Sequence, residues 1–432
     1  MNMTRKVKRE AMKNYNPFKD MLIVLKHYFP DFMKYLMGIY DPRNQGYIKY
    51  SQVEFIMISM FSRFSQLESR RHMNDYFNTD NFIKCAKLLF DETLDEIPHG
   101  DTINDYFKEV SIDEFRKIMY YMVNQLITMK LLDDYKIENK YYHLIIDGVS
   151  MYSSHHQHTQ SSLERHHQNG DITYHDDVLV AIISMGNVNV PVDFEMIENI
   201  GVQYDKQECE INAAKRLLTR IKKHFKRLNI CVSGDALYIG EPMFQLIEEK
   251  KWKYLITFKE GCSKEISEYY EASKQGNDVK RYENGEIHYT YYNGVEYGER
   301  KLNIIEMEEE GTRFCYATEL EITEENYMKI AQHGRDRWKI ENKSFNELKN
   351  HGYHFTHAWS RDENAMKVNI VISLISLLIM QLLEHYERSK EQFLSIRKLG
   401  EDIKEALSHA QLSATDIKDI TTSLYVSKVI PY

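Results

Sequence analysis

Cysteine is scarce in this chain and carries no pattern. The five present, Cys85, Cys209, Cys231, Cys262 and Cys315, have neither the spacing of a disulfide framework nor that of a metal knuckle. They read as reduced thiols, which makes the cytoplasm the expected site of action. A membrane-spanning run is missing as well. The longest apolar stretch, Val368 to Leu383, is broken by Asn369, Ser373, Ser376 and Gln381. It is too short and too polar for a span of roughly 20 apolar residues and predicts a buried helix. The basic start, Met1 to Lys19, is followed by no apolar core of signal-peptide length. There is no internal repeat and no low-complexity linker. Nor is positive charge in excess: 56 Lys and Arg against 65 Asp and Glu leave a net charge of −9. That total does not exclude a polyanionic partner, because such binding depends on local patches.

What is present is a chain of 432 residues, 43% hydrophobic and 28% charged, the composition of a globular protein with two or three cores. From about Phe18 to Lys130, apolar residues recur at helical spacing, as in Met21 to Leu25 and Phe115 to Met122. Pro98 to Thr102 breaks that pattern, and Asp101 or Thr102 can cap the helix that follows. At Tyr141 the period changes. Tyr141 to Ile146 is a short apolar run suited to a strand covered on both faces. Asp177 to Met185 and Val188 to Ile197 are two more strands, with Gly186-Asn187 as a tight hairpin between them. Ile211 to Leu228 is an amphipathic helix whose stripe is Ala214, Leu217, Leu218, Ile221, Phe225 and Leu228. Its other faces carry Lys215, Arg216, Arg220, Lys222, Lys223, Lys226 and Arg227, with no acid between them.

Strand Ile230 to Ser233, a helix near Pro242 to Lys250 and strand Trp252 to Phe258 follow. Gly261 to Thr323 has strand-like pieces with turns, such as Ile287 to Tyr292 and Arg313 to Thr318. Helices resume near Glu325 and continue to about Leu412. Three strands in a meander, then strands joined through helices, predict an α/β sheet whose later members pair in parallel. The order matches a ribonuclease-H-like core. The expected domains are an all-α N-terminal region over 1–135, the core over 140–260 and 324–390, a β-rich insertion over 261–323, and a C-terminal helical tail over 391–432.

Three acids stand out in this frame. Asp147 ends the run His143-Leu144-Ile145-Ile146. Asp235 ends Ile230-Cys231-Val232-Ser233-Gly234. Glu341 lies in the helical stretch Arg335 to Asn342. Three converged carboxylates repel one another, and without a cation at least one takes up a proton. Mg²⁺, a hard cation that favours carboxylate, water and phosphate oxygens, resolves the repulsion, with Mn²⁺ as a substitute. Two such ions about 4 Å apart activate an attacking oxygen and stabilise the leaving one.

The segment from Tyr141 to about His385 resembles the catalytic domain of insertion-sequence DDE transposases. More narrowly, it is similar to the type-four group, whose third acid lies in a Tyr-x₂-Arg-x₃-Glu-x₆-Lys signature. Arg337-x₃-Glu341 fits it. Gly334 stands in the place of the Tyr and Leu348 in the place of the Lys, with Lys349 one residue later. Asp147-Gly148, Asp235-Ala236-Leu237-Tyr238, Trp252 to Ile256 and Arg337 to Asn342 add to the likeness, as does a β-rich insertion between the second and third acids. The resemblance implies a transposase that cleaves and joins DNA at its element's terminal inverted repeats, as a homodimer in the DNA complex. Asp147, Asp235 and Glu341 would be both catalytic and metal-binding. Arg337, one helical turn before Glu341, would hold a phosphate or pair with a surface acid. Trp338 would stack on an unpaired base or, more in keeping with its type, lie in a core. Localisation would be cytoplasmic and nucleoid-associated in a bacterium. The rivals are a nuclease of the same fold without strand transfer and an inactive DNA-binding derivative.

Weaker signals remain. His155, His156, His158, His166 and His167 are dense but lack the spacing of a closed zinc site, and predict a polar loop at the rim of the site. Asp41 to Gly46 resembles a calcium loop, yet Arg43 and Gln52 stand where ligands are required. Lys222, Lys223, Lys226 and Arg227 are candidate DNA contacts, with a solvated face as the alternative. Arg5 to Arg9 is a candidate backbone-binding arm.

Overall fold

The computed structural model describes residues 15–89, 94–198, 210–259, 261–276, 278–339, 345–350, 352–409 and 412–422. The chain forms two compact units, one of Met1–Gln125 with Glu347–Val429 and one of Leu126–Asn346 with Ile430–Tyr432. The arm at Arg5 to Arg9 and Cys209 lie outside the described residues.

The first unit is helical: α1 (Pro17–Tyr28), α2 (Phe32–Met37), α3 (Gln52–Phe64), α4 (Arg70–Phe77), α5 (Asp80–Leu89), α6 (Gly100–Glu109) and most of α7 (Ile112–Thr128). The helix starts are written in the sequence. Asn16 accepts from the Lys19 amide ahead of Pro17, and Ser51 and Glu54 form a capping box on α3. His99, rather than Asp101 or Thr102, caps α6, with its ring accepting from the Asp101 amide at 3.2 Å. The same unit holds α13 (Glu363–Ser389), a helix of 27 residues capped by Asp362, and α14 (Ile396–Ser408).

The apolar run at Val368 is the centre of α13. By length and composition this helix can cross a membrane, with a mean hydropathy of 2.0, but 94% of that window is buried inside the chain. It packs on α1, α3 and α6. By contacts it clusters with the N-terminal helices. Its polar residues explain the choice. Arg63 of α3 is buried with its guanidinium 3.4 Å from the Trp359 ring centroid, and it donates to Asn369 Oδ1 at 2.7 Å. An apolar surface on all sides with one asparagine aimed at a buried arginine has a single good docking partner.

The second unit is one mixed sheet with helices. Its strands are β1 (Tyr142–Ser154), β2 (Leu163–His166), β3 (Ile172–Met185), β4 (Val188–Ile197), β5 (Ile230–Gly234), β6 (Lys253–Thr257), β7 (Lys280–Asn284), β8 (Ile287–Tyr297), β9 (Arg300–Glu309) and β10 (Thr312–Thr318). The helices are α8 (Glu210–His224), α9 (Glu241–Glu249), α10 (Lys264–Ser273) and α11 (Tyr327–Lys339). β3 lies between β1 and β4 and is antiparallel to both. β5 is parallel to β1, and β6 is parallel to β5. That is the ribonuclease-H-like order expected. Gly186, at φ +65°, makes the tight turn from β3 to β4.

One detail differs from the sequence reading. β1 does not stop near Asp147. It continues to Ser154 because β3 also extends, pairing Ser154 with Tyr174. The inserted strands join the same sheet: β10 pairs with β6, so β10, β9, β8 and β7 extend it. Tyr316, Ile305, Met307 and Tyr289 from these strands pack with Ile330 and Ala331 of α11 in a common core.

α8 covers β4, and two of its arginines are spent there. Arg220 donates through Nε to the buried Asp193 at 2.7 Å and through Nη1 to Glu195 at 2.6 Å. Arg216 Nε reaches Glu195 at 2.9 Å. Arg220→Ala should cost about 2–4 kcal/mol, less than for a wholly buried pair because the side chain keeps 26% exposure. Lys223→Ala and Lys226→Ala, both exposed, should change stability by less than about 0.5 kcal/mol. Urea midpoints of the three variants check the contrast.

In the first unit Glu387 is fully buried beside Asp20, both facing Lys390. Burial, reinforced by the Asp20 charge, pushes Glu387 up to about 7. A carboxyl raised in the folded state stabilises most below its unfolded value near 4.5, and that contribution is lost as pH rises through 7. The wild type should therefore lose on the order of 2 kcal/mol between pH 5 and 8 from this group, and Glu387→Gln should flatten that slope. Unfolding free energies across the window provide the measurement.

Candidate active site

The register of β1 against β5 brings two of the three acids side by side. Ile145 is the partner of Ser233 in a parallel pair, and Asp147 and Asp235 each lie two residues further along. In a parallel pair equal offsets keep side chains on the same face and at the same height. Asp147 is mostly buried within β1. Asp235 follows the last residue of β5 and caps a 3₁₀ turn, Ala236–Tyr238, by accepting from the Leu237 amide at 3.3 Å. The same face of β1 and β5 carries His143, whose Nε2 is 2.8 Å from Ser233 Oγ and whose ring meets His333 of α11.

α11 presents Tyr327, Ile330, Ala331, Gly334 and Arg337 at helical spacing to the sheet, all buried. Arg337 ends this stripe at 5% exposure, with Nη1 3.5 Å from Asp147 Oδ2. It is thus neither a surface pair nor a solvated residue. Its Nε is buried and has no hydrogen-bond acceptor among the described residues. Gly334 has a steric reason: a Cβ there would lie 2.6 Å from the Tyr316 ring. The aromatic ring of the family signature is absent from α11, and a ring from β10 fills that space. Trp338 is 41% exposed rather than in a core, so its indole is free to meet a partner. Glu341 lies outside the described residues, and α11 is described only to Lys339. Lys349 is part-exposed on the short helix α12 (Asn346–Asn350).

A fourth acid is present that the sequence reading passed over. Glu210, the first residue of α8, turns its carboxylate onto Gly148, on the face of β1 opposite to Asp147: a Cβ at position 148 would lie 2.6 Å from Glu210 Oε2. The Tyr238 hydroxyl donates to Glu210 Oε1, and the Tyr238 ring in turn fills the space over Gly234, where a Cβ would come within 2.5 Å of it. Burial raises Glu210 above the usual carboxylate range; the Tyr238 bond opposes that, and the charges of Asp235 and Asp177 add to it. Asp177 has a buried Oδ1 with no hydrogen bond among the described residues, while its Oδ2 faces His175 Nε2 at 3.4 Å. The two glycines, each next to a candidate acid, were the available signal.

The other candidates are spread out. Among the described residues no three His, Cys, Asp or Glu side chains are gathered as a preformed metal cluster. His155 and His156 follow β1, and His166 is on β2 with its Nε2 3.1 Å from Glu164. The histidine segment is therefore partly strand, not wholly loop. Lys222 lies over the Trp252 ring and donates to the Lys226 carbonyl, whereas Lys223, Lys226 and Arg227 are exposed.

Residues 138–379 match the transposase DDE domain family, which is more than half of the chain. No curated protein matches it. Among solved structures, the cryo-EM structure of the piggyBac transposase synaptic complex with hairpin DNA aligns over 96% of this chain and 86% of that one. The identity is 11% and the TM-score 0.44, a likeness too distant to assign any residue. The family match spans β1 through most of α13, with Asp147, Asp235 and Arg337 inside it, and on that match the chain belongs to the DDE transposases.

Proposed function

We propose that this transposase cleaves DNA strands at the ends of its element and joins them to target DNA, with Asp147, Asp235 and Glu341 as the carboxylates of a divalent-metal site. The observation that carries the reading is the alignment of Asp147 and Asp235 at equal offsets from one parallel pair. Two acids forced to one edge, with an all-oxygen donor set, suit a hard cation such as Mg²⁺ or Mn²⁺. Glu341 completes the set by its place four residues after Arg337 in the family signature.

Bound there, Mg²⁺ supplies charge stabilisation for the attacking and leaving oxygens of an in-line phosphoryl displacement. The chain's own residues position the substrate. Arg337 presents its guanidinium to the same edge, and its unfilled Nε can donate to a non-bridging phosphate oxygen. Trp338 offers an exposed ring for an unpaired base at the cut end. Lys223, Lys226 and Arg227 offer exposed charge to the phosphate backbone. Lys349 adds a further cation. The active form on paired ends is a homodimer, acting in the cytoplasm on the nucleoid. The domain reading that goes with this gives end recognition to the helical region before Leu126.

Asp147→Asn, Asp235→Asn and Glu341→Gln should each lower cleavage and strand transfer by more than about 100-fold, leaving end binding and the melting temperature near wild type. Cleavage of a labelled element end in Mg²⁺, with Ca²⁺ as a binding-only control, tests this; an Asp235→Asn variant of near-native activity removes that residue from the site. A gel assay for joined product separates a transposase from a plain nuclease.

The Lys223→Ala, Lys226→Ala, Arg227→Ala triple variant should weaken binding to all DNA sequences alike. It should also lower the slope of log affinity against log salt by up to roughly 0.9 per lost phosphate contact. An unchanged slope means this end of α8 faces away from DNA.

A further inference from the structure

We propose that the histidine-rich flap made by the β1–β2 loop and the β2–β3 turn grips the phosphate backbone of DNA beside the Asp147 edge. This rests on the cleavage of DNA at Asp147 proposed above and gives that DNA a further binding surface. The first observation is where the flap folds. In the antiparallel pair of β1 and β3, Asp147 is opposite Val180, and Tyr152 is opposite Asp176 after a bulge. Directly opposed residues share a face, and so do alternate residues of one strand. Val180, Val178 and Asp176 are therefore on the Asp147 face. Asp176 is four residues from Val180, roughly 13 Å at the rise of a strand.

Second, the flap is tied down there. Asp176 is 4% exposed, and the Ser162 hydroxyl donates to its Oδ1 at 2.8 Å. The Thr159 hydroxyl reaches the same oxygen at 3.5 Å, and the Thr159 amide donates to Ser162 Oγ at 3.0 Å. The His158 ring packs on Tyr152, with centroids 4.7 Å apart. Bonds to a buried carboxylate hold this loop against the sheet.

Third, what the anchor leaves outside suits phosphate. His155, His156, Gln157, Arg165 and His167 are exposed. The acids of the same stretch are engaged locally, Glu164 with His166 at 3.1 Å and Asp171 with Asn169 at 2.7 Å. Among the described residues the histidines gather no metal cluster. They line a surface, where imidazole, amide and guanidinium N–H groups can meet phosphate oxygens. A span of roughly 13 Å is about four base steps, so a strand with one phosphate at Asp147 carries others across the flap.

The test uses the full chain and a labelled duplex of mixed sequence, read by fluorescence anisotropy in Ca²⁺ across a salt series. The His155→Ala, His156→Ala, Arg165→Ala triple variant should bind about tenfold more weakly or worse. Its slope of log affinity against log salt should fall by roughly 0.9 or more, with the melting temperature unchanged. The His155→Lys, His156→Lys double variant should bind more tightly and steepen the slope. Wild-type affinity and slope in the triple variant overturn the role of the flap and leave the DNA reading standing. Absence of duplex binding by the wild type overturns both. Should the triple variant melt early, the lysine variant decides, and no gain of affinity there overturns the proposal.

Discussion

The parallel pairing of β1 with β5 is the constraint on which the candidate site rests. Parallel neighbours cannot be joined by a hairpin, so the chain must leave the sheet and return through a crossover. Here the excursion makes β2, β3 and β4 and then α8 before β5 enters beside β1. Because both strands run the same way, their C-terminal ends share one edge of the sheet. A register shift of one residue would put Asp147 and Asp235 on opposite faces. The pairing of Ile145 with Ser233 prevents this, and the buried bond between His143 and Ser233 pins the register from within the core. The same crossover delivers the start of α8, and with it Glu210, to that edge.

Gathering acids at one place costs free energy, and the structure shows how part of that cost is met. Arg337 sits against Asp147 at the end of a buried helical stripe. An arginine this buried is tolerated in part because its partner is a carboxylate. Among the described residues Glu210 is answered only by the Tyr238 hydroxyl, and burial, with the charges of Asp235 and Asp177, raises its proton affinity. The glycines matter for the same reason. Gly148 and Gly234 let a carboxylate and an aromatic ring approach the backbone more closely than any side chain at those positions would allow.

That is why the sequence was legible in some places and silent in others. Strand and helix types could be read because hydrophobic period is local. Asp147 and Asp235 stood out because each ends an apolar run, and Arg337 because it fits a signature. Glu210 could not be found that way. A glutamate at a helix start is the commonest of surface features, and only the fold shows that it meets Gly148. Arg216 and Arg220 read as free charge on α8 because their partners, Asp193 and Glu195, are on β4 and become neighbours only when the helix docks. The length of β1 was underestimated because its last residues are polar and are held by pairing with β3 rather than by burial. The packing partners of the helix at Glu363 could not be read, because an apolar run says that it is covered, not by what.

The acidic total now has a physical reading. A protein that handles a polyanion and carries a net charge of −9 must separate its charges in space. On α8 this separation is visible within four turns. Arg216 and Arg220 face β4 and are neutralised there. Lys223, Lys226 and Arg227 continue past the end of β4's reach and stay exposed. At the other end of the same helix stands Glu210, beside Asp235 and Asp177. Acid near the N-terminus and base near the C-terminus also suit the helix dipole, so the arrangement favours the helix while it sorts charge. The acidic residues that make the total negative are thus not opposed to DNA chemistry, because a metal-dependent phosphoryl transfer needs concentrated carboxylate at its centre and needs positive charge only where the backbone is gripped.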